Sequence, residues 1–193
     1  MAFAFSSPYH TDRALIAILH ERMEKALEHL SAPDENRAEG IHEARKRFKE
    51  IRAVLRLVRD TPDLDLTDLA AWFRDAGRQL SGTRDAQALL ECWDKLHTAA
   101  PKALETAAGR AFHQMLMENA HAHLHQTDAL TETLADLRIR LAHQLAQLPD
   151  GKRGRSGFEL IEPGLMRSYR SGRRRLADAV QTPTPETFHE WRK

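Results

Sequence analysis

His42, Arg45, Lys49, Arg52 and Arg56 follow one another at steps of three or four residues. On a helix such steps place one imidazole and four cations on a single arc about 80° wide. This is chemistry for anions. Arginine grips phosphate oxygens in a bidentate manner, and lysine supplies a point charge. The row runs for about 21 Å at the helical rise. A single phosphate needs one or two such groups, so a row of this length suits an extended polyanion. Unoccupied, each like-charge pair costs a few tenths of a kcal/mol. Glu43 and Glu50 fall elsewhere on the wheel and do not intersperse the row. The plainer alternatives are a solvated charged face and a structural histidine at the start of a helix.

Two further groups extend the pattern. Arg167, Arg170 and Arg174 share one helical face, with Tyr169 and Arg173 nearby, and Arg153 and Arg155 precede them. The segment ETFHEWRK at 186–193 repeats EGIHEARK at 39–46 in its Glu, His, Glu, Arg and Lys. His189 and Arg192 thereby take the places of His42 and Arg45. The two histidines are roughly 147 residues apart; as a repeat period this implies a full pair of repeats of roughly 290 residues. On that reading the sequence stops inside a second basic helix, short of its later cations.

The elements that hold these residues read as helices. Phe48, Ile51, Leu55 and Val58 fall together on an arc adjoining the basic one, so the helix has a core face beside a cationic face. In the first helix, about 12–30, Leu15, Ile18, Leu19, Met23, Ala26, Leu27 and Leu30 recur at three and four. Further helices are expected at about 38–60, 66–80, 83–97 and 165–180, with two pieces across 101–148 divided near 126–128. Thr184-Pro185 reads as an N-cap followed by proline at the first helical position. No stretch alternates apolar and polar residues as a half-buried strand does. The predicted class is all-α, built as antiparallel helical bundles with short connections.

Composition narrows the function. The chain has 193 residues, 41% hydrophobic and 30% charged, with a net charge of only +1. It is too apolar for disorder and too charged for a membrane bundle, and no apolar run approaches the roughly 20 residues of a spanning helix. The near-neutral total hides a concentration of positive charge at 42–59 and 152–175, and a local basic stripe binds anions regardless of the sum. Cys92 is the single cysteine, which excludes an intrachain disulfide and a multi-cysteine zinc site. The start MAFAFSSPYHTDR lacks the features of a secretory signal, so the expected compartment is the reducing cytoplasm.

These motifs resemble the conserved histidine α-helical domain (CHAD) family. The family's histidine followed by cations at +3, +7 and +10 stands here as His42, Arg45, Lys49 and Arg52. Its Leu-Gly-x-x-Arg-Asp segment is similar to Leu80-Ser81-Gly82-Thr83-Arg84-Asp85, with Ser81 inserted. The Tyr-Arg-rich helix at 167–175 and the second histidine signature at His189 and Arg192 follow in order. The resemblance implies two four-helix bundles related by pseudo-twofold symmetry, with basic helices lining a groove. Residues 1–148 would then form the first repeat, 149–164 a linker, and 165–193 the beginning of the second. It further implies binding of inorganic polyphosphate and association with polyphosphate granules. The implied contacts are His42, Arg45, Lys49, Arg52 and Arg56, then Arg84, then Arg167, Arg170, Arg174, His189 and Arg192.

Other classes fit less well. No Gly-rich phosphate loop, Ser-His-Asp spacing or metal-binding carboxylate pair is visible, so no catalytic residue or cofactor is expected. His121, His123 and His125 form His-Ala-His-Leu-His, whose i,i+4 pair can face a metal, but no acidic or cysteine partner is fixed nearby. Structural or solvated histidines are the stronger reading, and no metal site is predicted. Nucleic acid is expected only as a weaker polyanion competitor: aromatics are 6% of residues, and Phe48 alone interrupts the first basic row. No membrane partner is expected.

Overall fold

The computed structural model describes residues 10–59, 66–125, 127–149 and 157–192, apart from the side chains of residues 82–85, 87, 123–125, 127 and 128. Among the described residues every regular element is a helix, as the absence of alternating patterns requires. The α-helices are α1 Thr11–Leu30, α2 Arg37–Val58, α3 Thr67–Gln79, α4 Ser81–Ala99, α5 Pro101–Leu104, α6 Ala107–His125, α7 Thr127–Ala146, α8 Glu162–Gln181 and α9 Pro185–Arg192. Single 3-10 turns stand at Asp34–Asn36 and Phe158–Leu160.

Local chemistry explains the boundaries. Pro101 opens α5 at a position where a missing N–H costs nothing. The helix then breaks at Glu105, because Thr106 caps a new one: its Oγ1 accepts the Gly109 N–H at 3.0 Å. The stretch expected as two helical pieces is therefore three helices. α8 begins at Glu162, earlier than the expected 165, with Pro163 in its first turn and Glu162 favourably placed at the positive end of the helix dipole. The expected cap at Thr184 is present in reciprocal form. Thr184 Oγ1 accepts the Thr187 N–H at 3.2 Å, and Thr187 Oγ1 accepts the Thr184 N–H at 3.0 Å.

The chain divides into two compact units, one from residues 19–52 and 71–148, the other from 1–18, 53–70 and 149–193. In the larger unit Phe48 meets Trp72 edge-on at 6.1 Å and Phe73 at 5.2 Å. Leu19, Met23, Ala26 and Ile51 are buried in the same unit, as the core arcs of the first two helices predict, and Ile41 joins them. Fully burying such a side chain stabilises by about 1.5–3 kcal/mol. On α7 only the i, i+3, i+7 line of Leu134, Leu137 and Leu141 is buried among the described side chains. Gly40 lets α2 leave the end of α1 closely: a Cβ there would lie 2.7 Å from the Ala32 Cβ.

The glutamates that lie off the basic row have structural work. Arg47 donates to Glu50 at 2.8 Å and to Glu43 at 3.0 Å, and Glu50 also faces the buried Arg22 at 3.5 Å. The hydrogen bonds from Arg47 and then Lys46 hold the Glu43 carboxyl below its ordinary value. In the smaller unit Leu15, Val54, Leu55, Val58, Leu160 and Ala179 are buried. Thr11 Oγ1 accepts the Gly157 N–H at 3.1 Å, joining the start of α1 to the approach to α8.

Candidate anion-binding site

In the larger unit, α2 and α3 face each other across a cavity of about 280 Å³. Arg45, Lys49 and Arg52 line it from α2, and Arg74, Gly77 and Arg78 from α3. Phe48 and Phe73 line it too, so the aromatic core ends at the cavity. Arg45 has a double position: it lines the cavity and donates from Nη1 to the Gly77 carbonyl at 3.1 Å, tying its two walls. His42 shares α2 but does not line the cavity; its Nε2 is 4.0 Å from Glu43 Oε1.

One exposed carboxylate stands beside these cations. Arg74 grips Asp75 in a bidentate pair, both contacts 2.9 Å, and Arg78 Nη1 lies 3.6 Å away. The Arg74 hydrogen bond, with the charges of Arg74, Arg78 and Arg52, holds the Asp75 carboxyl below its ordinary 3.8. Asp75 is an internal anion already drawing on guanidinium charge that an external anion would use.

The smaller unit gathers the α8 arginines. Arg167, Arg170 and Arg174 line a cavity of about 670 Å³ with Met166, Ser171 and the α8 terminus at Glu162. A second cavity of about 400 Å³ brings Arg56 and Arg59, from the end of α2, together with Arg167, Arg174 and Arg175 of α8 and Trp191 of α9. Tyr169 is exposed, and the Arg173 guanidinium lies 6.0 Å from its ring centroid. His189 and Arg192 are exposed on α9 and line neither cavity. The side chain of Arg84 lies outside the described residues, as do Arg153 and Arg155; the backbone of Arg84 is in α4.

Four cavity-lining cations are not among the contacts expected from the sequence: Arg59 and Arg175, at the ends of its two basic regions, and Arg74 and Arg78 on α3. Arg59 continues the α2 row by three residues but falls just beyond the arc. Arg74 and Arg78 carry the same i,i+4 spacing on α3, and only the pairing of α3 with α2 shows that they face the same cavity. His121 is exposed on α6, while the side chains of His123 and His125 lie outside the described residues. Among the described residues no three His, Cys, Asp or Glu side chains are grouped to hold a metal, and no helix is long and apolar enough to cross a membrane.

The fold is all-α, and among the described residues guanidinium groups gather into open cavities. The chain belongs to the CHAD domain family, whose profile matches residues 17–193. CHAD domains are a family generally linked to polyphosphate binding and generally non-catalytic. No curated protein and no solved structure matches the chain.

Proposed function

We propose that this chain binds inorganic polyphosphate through its cationic cavities and the basic row of α2, without catalysing a reaction. One observation carries the reading. Arg56, Arg59, Arg170 and Arg174 line the cavities of the smaller unit, and among the described residues none has a carboxylate within ion-pair distance. Glu162 lines the larger of these cavities without an ion pair to Arg170 or Arg174, and a group of guanidinium charges that no described carboxylate pairs with favours an external polyanion. On this reading the contacts are His42, Arg45, Lys49, Arg52 and Arg56 of the α2 row, then Arg84, Arg167, Arg170 and Arg174, with His189 and Arg192 reaching the polyanion from α9 outside the cavities; the cavity-lining Arg59, Arg74, Arg78 and Arg175 extend the set. Association with polyphosphate granules follows from the same chemistry, since a granule offers this polyanion at high density. Nucleic acid is a weaker competitor for the same cations.

Chain length tests the reading. Titration at fixed salt is expected to show tighter binding as polyphosphate lengthens, by at least about tenfold from tripolyphosphate to long chains, because added phosphates engage added cations. Length-independent affinity, compared per molecule, would contradict an extended site.

The α3 wall has its own test. Asp75→Asn is expected to raise long-chain affinity roughly two- to fivefold by releasing guanidinium charge from an exposed partner. Unchanged affinity would remove Arg74 and Arg78 from the site.

A further inference from the structure

Trp191 is an indole in a cavity otherwise rich in guanidinium groups. It is 42% exposed, on the last turn of α9, and lines the cavity of about 400 Å³ with Arg56, Arg59, Arg167, Arg174 and Arg175. A bare phosphate chain has no π face and no apolar surface, so it gains nothing from an indole. A ligand with phosphates at one end and a flat heteroaromatic ring at the other uses both. The volume falls within the roughly 300–1,000 Å³ of small-molecule pockets. Ser168 and Ser171 add hydroxyls to the wall, and at Gly172 the wall is open: a Cβ there would meet no atom within 4 Å. Arg175 Nη1 donates to the Glu190 carbonyl at 3.1 Å, which fixes the residue before Trp191 to α8 and holds the indole at the cavity.

We propose that this cavity takes a nucleoside polyphosphate, its phosphates on the arginines and its base stacked on Trp191. The inference rests on the phosphate-binding reading above and names a ligand class for part of the same site. Stacking of a base on an aromatic side chain adds affinity for any base and most for the wider purines. ATP carries less charge than tripolyphosphate, because adenosine esterifies one terminal oxygen. Electrostatics alone therefore favours tripolyphosphate, and a preference for ATP isolates the nucleoside.

The test compares ATP with tripolyphosphate on the intact chain, at one salt concentration and without divalent cations. ATP is expected to bind at least about tenfold more tightly. It is also expected to quench tryptophan fluorescence where tripolyphosphate does not. Trp191→Ala is expected to bring the affinity ratio to one or below, and Trp191→Phe to keep part of the preference. If tripolyphosphate and long-chain polyphosphate bind but ATP binds no tighter than tripolyphosphate, the inference fails and the polyphosphate reading stands. If no phosphate compound binds, both fail. Should Trp191→Ala unfold, the ratio and the quenching in the unaltered chain still decide.

Discussion

Gly164→Ala is expected to destabilise the smaller unit by about 2 kcal/mol, lowering its melting temperature by about 5 °C or more. Gly164 is buried in the first turn of α8. A Cβ there would lie 2.6 Å from the Leu57 Cα and nearer still to the Leu57 carbonyl group. All of these atoms are backbone, so no rotamer change relieves the clash, and α8 must retreat from the end of α2. Alanine's better helix propensity offsets at most about 1 kcal/mol of this. The retreat would also part Arg56 and Arg59 from Arg167 and Arg174, so long-chain polyphosphate affinity should fall together with stability. Gly172→Ala is the matched comparison: the same helix and substitution, but open space around the new methyl. It should leave stability unchanged or raise it by up to about 1 kcal/mol. Equal melting temperatures for the two variants would show that the close approach of Gly164 to Leu57 is not what seats α8.

Arg170→Ala/Arg174→Ala is expected to weaken long-chain polyphosphate binding about a hundredfold while leaving thermal unfolding nearly unchanged. Both side chains are exposed and line the cavity of about 670 Å³. Each charge-assisted hydrogen bond to phosphate contributes about 1.5–3 kcal/mol where it is made, so losing two costs about 3 kcal/mol or more. Their i,i+4 spacing means that the double variant also relieves a repulsion of a few tenths of a kcal/mol in the free protein. The corresponding change on α2 is less clean. Arg45 bonds the Gly77 carbonyl, so removing it loosens the walls of its cavity as well as the charge. The comparison variant is Arg138→Ala/Arg140→Ala on the exposed side of α7, where Arg140 pairs only locally with Asp136 at 3.2 Å. Equal loss in the two variants would mean that net charge, rather than the α8 cavity, governs binding.

The helices and their core faces were legible because amphipathic periodicity is a local signal. Spacing alone puts Phe48, Ile51, Leu55 and Val58 on the core arc, and all four are buried. The Thr184 cap was legible for the same reason. The break at Glu105 was not, because it turns on one threonine hydroxyl satisfying a backbone N–H three residues on. The candidate site was half legible. A row of cations on one helix shows itself on a wheel, whereas a cavity needs a second wall. Arg74 and Arg78 share a cavity with the α2 row only through the pairing of α3 with α2, and Arg59 meets the α8 arginines only through the approach of α8 to the end of α2. Trp191 stands in the repeated histidine segment at a position the two copies do not share, and its place among arginines is a tertiary fact.

The slope of long-chain polyphosphate affinity against salt tests the central claim most directly. A polyanion held by many cations releases condensed counterions, so log affinity falls linearly with log salt, by about 0.7–0.9 for each phosphate neutralised on nucleic acids. Engagement of four or more guanidinium groups predicts a slope of about −3 or steeper, made shallower by about 1.5 in Arg170→Ala/Arg174→Ala. A slope near zero, or one that the double variant leaves unchanged, would contradict binding through these cavities.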